Sequence, residues 1–154
     1  YYSVTGGYQF LLSGDASELD KIKQGKVFTR DVNGYSKILT TSDYVGLPNR
    51  SKHQINLKFQ YQKEQTFATL RAFYRSSWHV TDTDGNGLFN TGDAKAIGFI
   101  QLNATVGFPI SKKITLQIGC NNILDYKDPV NMPNFFGRAG FIAINYSIKQ
   151  STEK

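Results

Sequence analysis

Apolar and polar residues alternate along six stretches of this chain, and a period of two is the mark of strands with one apolar face. In 7–13 the apolar side is Tyr8, Phe10 and Leu12; in 53–62 it is Ile55, Leu57, Phe59 and Tyr61, against Gln54, Asn56, Lys58 and Gln60. Residues 66–78 set Ala68, Leu70, Ala72 and Tyr74 against Thr69, Arg71, Phe73 and Arg75. Residues 97–110 set Ile100, Leu102, Ala104, Val106, Phe108 and Ile110 against Gln101, Asn103, Thr105 and Gly107. In 114–120 the apolar side is Ile114, Leu116, Ile118 and Cys120, and in 140–148 it is Ile142, Ile144, Tyr146 and Ile148. No apolar side carries a charge, and no stretch reads as a helix of domain-building length.

Two architectures give this pattern. A soluble antiparallel sheet turns its apolar face inward and its polar face to water. A transmembrane barrel inverts the arrangement, with the apolar face in lipid and the polar face in a wet lumen. Connection lengths separate them. Residues 62–65 and 111–113 are tight turns, whereas 14–52, 78–96 and 121–137 are long connections. Their order is long, short, long, short, long, so the short turns fall at one end of the sheet and the long loops at the other. Outer-membrane barrels show that asymmetry, and loops beyond about 12–15 residues are uncommon in compact domains unless they are functional. Tyr61, Tyr74, Trp78 and Tyr146 stand near strand ends, where aromatic residues suit a membrane interface and equally suit cross-strand packing.

Composition agrees with this choice. Of 154 residues only 19% are charged, below the roughly 25% of ordinary soluble domains, while 14% are aromatic, which excludes a disordered tail. No run approaches the ~20 apolar residues of a transmembrane helix. The net charge of +6 does not point to nucleic acid: the basic residues are scattered, and all twelve acidic residues fall between the expected strands or in the tail. The lone Cys120 excludes an internal disulfide and a zinc cage. The chain opens on Tyr1-Tyr2-Ser3-Val4, with no initiator Met or signal peptide, and so reads as part of something longer.

Three stretches carry a family resemblance. Gly119-Cys120-Asn121-Asn122-Ile123-Leu124-Asp125-Tyr126 resembles the "G-x-x-N-L-F-D" run near the end of TonB-dependent outer-membrane receptors. Gly137-Arg138-Ala139 through Tyr146-Ser147-Ile148 is similar to their closing strand, and Pro48-Asn49-Arg50-Ser51-Lys52-His53-Gln54-Ile55-Asn56-Leu57 to the proline- and basic-rich entry into an earlier one. The order and spacing match, with one departure: Ile148 stands where the family places an aromatic, and a polar tail, 149–154, follows. The resemblance implies an all-β fold, an antiparallel meander of about six strands within a transmembrane barrel of about 22. Residues 1–154 are then a C-terminal barrel segment, without the plug domain and earlier strands. An open sheet cannot satisfy its edges in lipid, so the segment is expected to rely on the rest of its own barrel. The implied partners are that barrel, the plug domain, the TonB complex, a small-molecule nutrient and the lipid bilayer. The implied location is the outer membrane of a Gram-negative cell, and the implied substrates are iron-siderophore, haem or cobalamin.

The sharpest local signal is the run from Asp82 to Asp93, which follows the calcium-loop template D-x-[DN]-x-[DN]-G with Asp in place of Glu at the twelfth position. Calcium takes hard oxygen ligands, and the ligands expected here are Asp82, Asp84, Asn86, the Leu88 carbonyl and Asp93. A solvated turn is the competing reading, because Asp, Asn and Gly dominate turns. In the first long connection, Asp15-Ala16-Ser17-Glu18 reads as a capping box opening a short helix stopped at Gly25. Val27 to Leu39 reads as a hairpin about Asn33-Gly34, a pair suited to a type I′ turn. That small subdomain is placed to cover a barrel mouth and to meet ligand or a surface lipoprotein, or else to be an ordered loop with neither role.

Nothing indicates an enzyme. His53 and His79 lie on separate segments without metal-ligand spacing, and no nucleophile elbow, P-loop or H-E-x-x-H occurs. Lys58, Arg71 and Arg75 lie on the polar sides and are the candidates to face a lumen; Arg71 and Arg75 are placed to line a translocation path or hold plug carboxylates, or else to be plain polar lumen wall. A soluble ligand-binding β-barrel or sandwich, and a porin-like barrel without a plug, remain the alternatives.

Overall fold

The computed structural model describes residues 1–31 and 33–147. In chain order its elements are β1 (Tyr2–Phe10), α1 (Ala16–Lys23), β2 (Phe28–Arg30), β3 (Ser36–Ile38), β4 (Tyr44–Gly46), β5 (His53–Lys63) and β6 (Thr66–Arg75). They continue as β7 (Trp78–Thr81), β8 (Phe89–Asn90), β9 (Ala94–Ala96), β10 (Phe99–Ser111), β11 (Ile114–Asn121) and β12 (Ala139–Tyr146). The fold is all-β. One six-stranded antiparallel sheet runs β1-β5-β6-β10-β11-β12, and β2-β3, β4-β8 and β7-β9 form two-stranded pairs. All six stretches of alternation are strands of the large sheet. Ile148 and 149–154 lie outside the described residues.

The chain divides into two compact units, one of Tyr1–Tyr8, Ile55–Tyr74 and the chain from Ile100, the other of Gln9–Gln54 and Arg75–Phe99. In the first, strand register keeps the two kinds of side chain apart. Val106 pairs with Ile118 and Phe108 with Leu116, while Thr105 pairs with Gly119 and Gly107 with Gln117. The pattern continues across the next pair, Leu116 with Ile144 and Ile118 with Ile142 against Thr115 with Asn145 and Gln117 with Ala143. The apolar face stays open: Leu57 is 51% exposed, Ile110 60%, Ile142 72% and Ile144 69%. On that face Tyr2 lies 5.1 Å from Tyr61 and 6.3 Å from Phe59, ring centre to ring centre.

Two glycines on the polar face, Gly107 and Gly119, are covered by aromatic rings. A Cβ on Gly107 would strike the Phe67 ring and one on Gly119 the Phe141 ring, so each glycine leaves the space its cross-strand neighbour fills. β1 begins at Tyr2 rather than Gly7, because Gly6 interrupts the apolar side of Tyr2, Val4, Tyr8 and Phe10 and hides the earlier half of the period.

The second unit holds a small core of its own, Ile22, Leu39, Trp78, Ala96 and Phe99, each almost wholly buried. Helix α1 is capped at its start by Asp15, whose carboxylate accepts from the Ser17 and Glu18 amides at 2.7 and 3.3 Å. The reciprocal half of the capping box does not form: the Asp15 amide donates to Tyr44 Oη (3.1 Å) and Glu18 pairs with Lys21 instead. At its end, Gly25 (φ +68°) closes a Schellman turn, with Gly25 N donating to Ile22 O and Lys26 N to Lys21 O. The hairpin β2–β3 is present, with Phe28 opposite Ile38, but its turn is not the two-residue type I′. Asp31 N donates to Tyr35 O, and of the described turn residues only Gly34 has positive φ, so the connection is three residues long. The Asp31 carboxylate accepts from the amides of Asn33 and Tyr35 and makes this longer loop self-sufficient. In β4, Gly46 (φ +92°) admits no side chain, since a Cβ there would meet the carbonyl of Ser13.

Candidate metal centre and polar sheet face

The Asp82–Asp93 run forms the connection of the β7–β9 hairpin, in which Trp78 pairs with Ala96 and His79 with Lys95. Two strands therefore hold the loop where helices flank the familiar calcium loop. Gly85 (φ +69°) and Gly87 (φ +82°) fold the backbone over, and their amides donate to the two oxygens of Asp82 at 2.8 Å each. At the other end Asp93, 5% exposed, accepts from Thr83 N and Asn90 N, also at 2.8 Å. Asp84 reaches out of the loop: its Oδ2 accepts from Thr29 Oγ1 at 2.6 Å and from Arg30 N at 3.2 Å, both on β2.

One carboxylate oxygen from each of Asp82, Asp84 and Asp93 lies within 4.8 Å of the others. Three of the five expected ligands thus converge. Asn86 is otherwise occupied, with Nδ2 donating to Phe28 O (2.9 Å) and Asp84, and Oδ1 accepting from Leu88 N (2.8 Å). Burial alone would raise the Asp84 carboxyl, but donation from Thr29 and from the amides of Asn86 and Arg30 outweighs it and holds Asp84 below the usual carboxylate range. His79 is pushed below its ordinary value by burial, with Lys95 and Lys52 adding to the effect and Asp93 opposing it. An all-oxygen, anionic donor set of this kind suits a hard divalent cation.

Sequence reading missed two residues here. Thr29 lies 55 positions from its partner Asp84, and no spacing rule links them. Asn90, ninth in the loop, is 2% exposed; its Oδ1 accepts from Gly92 N, while Nδ2 is buried without a hydrogen-bond partner among the described residues. Its place in the template was the available signal.

On the polar face of the large sheet, Lys58 and Arg71 project from the adjacent strands β5 and β6 into one open cavity of about 500 Å³. Asn56, Asn103, Thr5 and Phe73 form its walls. A second cavity of about 340 Å³ shares Arg71 and Asn103 and continues to Thr105 and Gln117. Arg75 belongs to the other unit and is engaged there. Its Nε donates to Ser51 Oγ at 2.6 Å, its Nη2 to Asn49 O at 3.0 Å, and its guanidinium carbon stands 3.8 Å from the centre of the buried Trp78 ring.

The run 119–126 has a structural reason for its asparagine. Asn122 sits at φ +50°, 1% exposed. Its Nδ2 donates to Tyr126 O (2.8 Å) and Phe136 O (3.1 Å), and its Oδ1 accepts from Tyr126 N (3.1 Å). Its own amide donates to Asn103 Oδ1 at 2.8 Å. Asp125 (φ +54°) completes the closure, accepting from Arg138 N at 2.7 Å and from Lys127 Nζ at 3.1 Å. One asparagine and one aspartate thereby pin both ends of the connection between β11 and β12.

Comparison with known proteins agrees with this architecture. A family model described as TonB dependent receptor-like, beta-barrel matches residues 2–123. Among solved structures the chain is similar to the closed form of the ferric-catecholate import receptor Fiu from K12 E. coli, with a TM-score of 0.57 and 19% identity. That match covers 94% of this chain and 18% of the receptor, so the chain spans under a fifth of its solved relative. A search of the curated proteins gives no match.

Proposed function

Because the chain belongs to the family of TonB-dependent receptor-like β-barrels, we propose that it is the C-terminal part of the barrel wall of a receptor that imports a scarce, bulky nutrient across a Gram-negative outer membrane with energy from TonB. The observation that carries this reading is the large sheet, whose exposed apolar face stands opposite a polar face without a single acidic residue. The apolar face meets lipid and the polar face lines the lumen. The rest of the barrel supplies partners for the sheet edges, and a plug domain fills the lumen. Iron-siderophore, haem and cobalamin are the candidate cargoes. The ferric-catecholate specificity of the solved relative makes an iron chelate the first to test.

Family membership speaks against a soluble module or a plugless porin, and the family is one of transport receptors rather than enzymes. The Asp82–Asp93 loop binds calcium through Asp82, Asp84 and Asp93, supported by the template and by the convergence of the three carboxylates. The same unit, with its helix and hairpin, forms an ordered surface for ligand or a lipoprotein partner.

Uptake of radiolabelled ferric catecholate, haem and cobalamin by cells with and without the intact gene, each with and without TonB, tests the proposal. Loss of one cargo in both deletions is expected. Uptake of every cargo unchanged by loss of the gene, or gene-dependent uptake that persists without TonB, contradicts it.

A further inference from the structure

We propose that Lys58 and Arg71 form a carboxylate-binding subsite on the polar face of the sheet, an inference that rests on the reading of this face as the lumen wall. Arg71 and Lys58 lie on neighbouring strands and share one cavity of about 500 Å³, and neither side chain has a hydrogen bond or ion pair with any described residue. Among the described residues no acidic one lies on a strand of the sheet, so the described face offers no counter-charge. The amides of Asn56 and Asn103 border the same cavity, and the ring of Phe73 walls it.

These parts suit one kind of guest. A guanidinium offers a planar fork that matches the two oxygens of a carboxylate, and an ammonium beside it adds a mobile point charge. Amide NH₂ groups donate to whatever oxygen edge remains. Two neighbouring cations with no counter-charge on their face repel each other, and an anion between them turns that repulsion into attraction. Arg71 also borders the adjoining cavity with Thr105 and Gln117, so a bound carboxylate stands at the meeting point of a longer polar groove.

The carboxylate has two sources, an acidic side chain elsewhere in the receptor or an acidic small molecule, and two arms on the full-length receptor in detergent separate them. Carbodiimide joins Lys58 Nζ to a touching carboxylate as an amide with loss of water, and mass spectrometry of the digest locates the link. A link from Lys58 to an Asp or Glu outside this chain identifies an internal partner, and R71Q, which frees that partner, lowers its yield. With no such link, calorimetry uses citrate as probe. Saturable binding that weakens by at least about tenfold in K58Q and in R71Q, and is unchanged in the turn variant K112Q, identifies an external one. Absence of both results, or phosphate bound more tightly than citrate, overturns the subsite. The cross-linking arm needs no variant, so a misfolded mutant does not blunt it. A receptor with normal TonB-dependent uptake and neither result loses the subsite and keeps its function.

Discussion

Thr29 Oγ1 donates to Asp84 Oδ2 at 2.6 Å and so fastens the β2–β3 hairpin to the loop that carries the calcium template. The bond makes Thr29 an outer partner of a candidate ligand, and outer partners orient ligands. Calorimetry on the intact receptor is expected to show calcium binding, lost in D82N. In T29V it should be weakened by roughly 10–100-fold, the usual cost of removing an outer-shell bond to a ligand. No calcium binding by the wild-type receptor would remove the metal and leave the loop as a self-bonded turn.

Asn122 ties the β11–β12 connection together through four hydrogen bonds. Replacement by Ala leaves the carbonyls of Tyr126 and Phe136 and the Tyr126 amide without their partner, and places Ala at positive φ. With a net loss of about 1 kcal/mol for each of three hydrogen bonds, N122A should destabilise the folded receptor by about 3 kcal/mol. Urea unfolding of the receptor in detergent measures it, and a change below about 0.5 kcal/mol, the scale of an ordinary surface substitution, would contradict the clamp.

Asp125 gives the same connection a dependence on pH. Donation from the Arg138 amide, then from Lys127, holds its carboxyl below the ordinary range. A carboxylate depressed in the folded state contributes stability that is complete above its unfolded pKa, roughly 4, and is lost as pH falls through the lower folded value. Hydrogen exchange at the Arg138 amide should therefore be protected at neutral pH and lose that protection below about pH 4. D125N should be less protected at neutral pH and show no such transition.

The aromatic covers on the polar face are open to a double-mutant test. G107A drives a methyl into the Phe67 ring, and about 1–3 kcal/mol of overpacking is expected. F67L makes room, so G107A should cost less in the F67L background than alone. Equal costs in both backgrounds would mean the ring simply moves aside.

How much of this was legible depends on how each feature is encoded. The six long strands were, because two faces turned to different surroundings write a period of two into the sequence; only β1 was read short, where Gly6 breaks the apolar side. Strands of two to four residues, such as β4, β7, β8 and β9, carry no period, so residues 78–96 read as one loop although a hairpin closes it. The Asp82–Asp93 spacing was visible because its ligands are local. Its tie to Thr29 was not, because tertiary pairing leaves no mark in spacing. The capping box was half right for the same reason: Tyr44, 29 residues away, takes the Asp15 amide that Glu18 would have bonded. Arg75 shared the period of Arg71, yet its guanidinium is held by Ser51, Asn49 and Trp78.

The central claim is that the two faces of the sheet meet different solvents. Spin labels placed singly at Val106, Phe108 and Ile118, and at Gln101, Thr105 and Gln117, in a Cys120→Ser background of the full-length receptor in bilayers, test it directly. Relaxation by oxygen, which concentrates in lipid, should exceed relaxation by a water-soluble nickel chelate at the first three positions, with the order reversed at the second three. Equal access to the chelate on both faces, or no alternation along β10, would contradict the account.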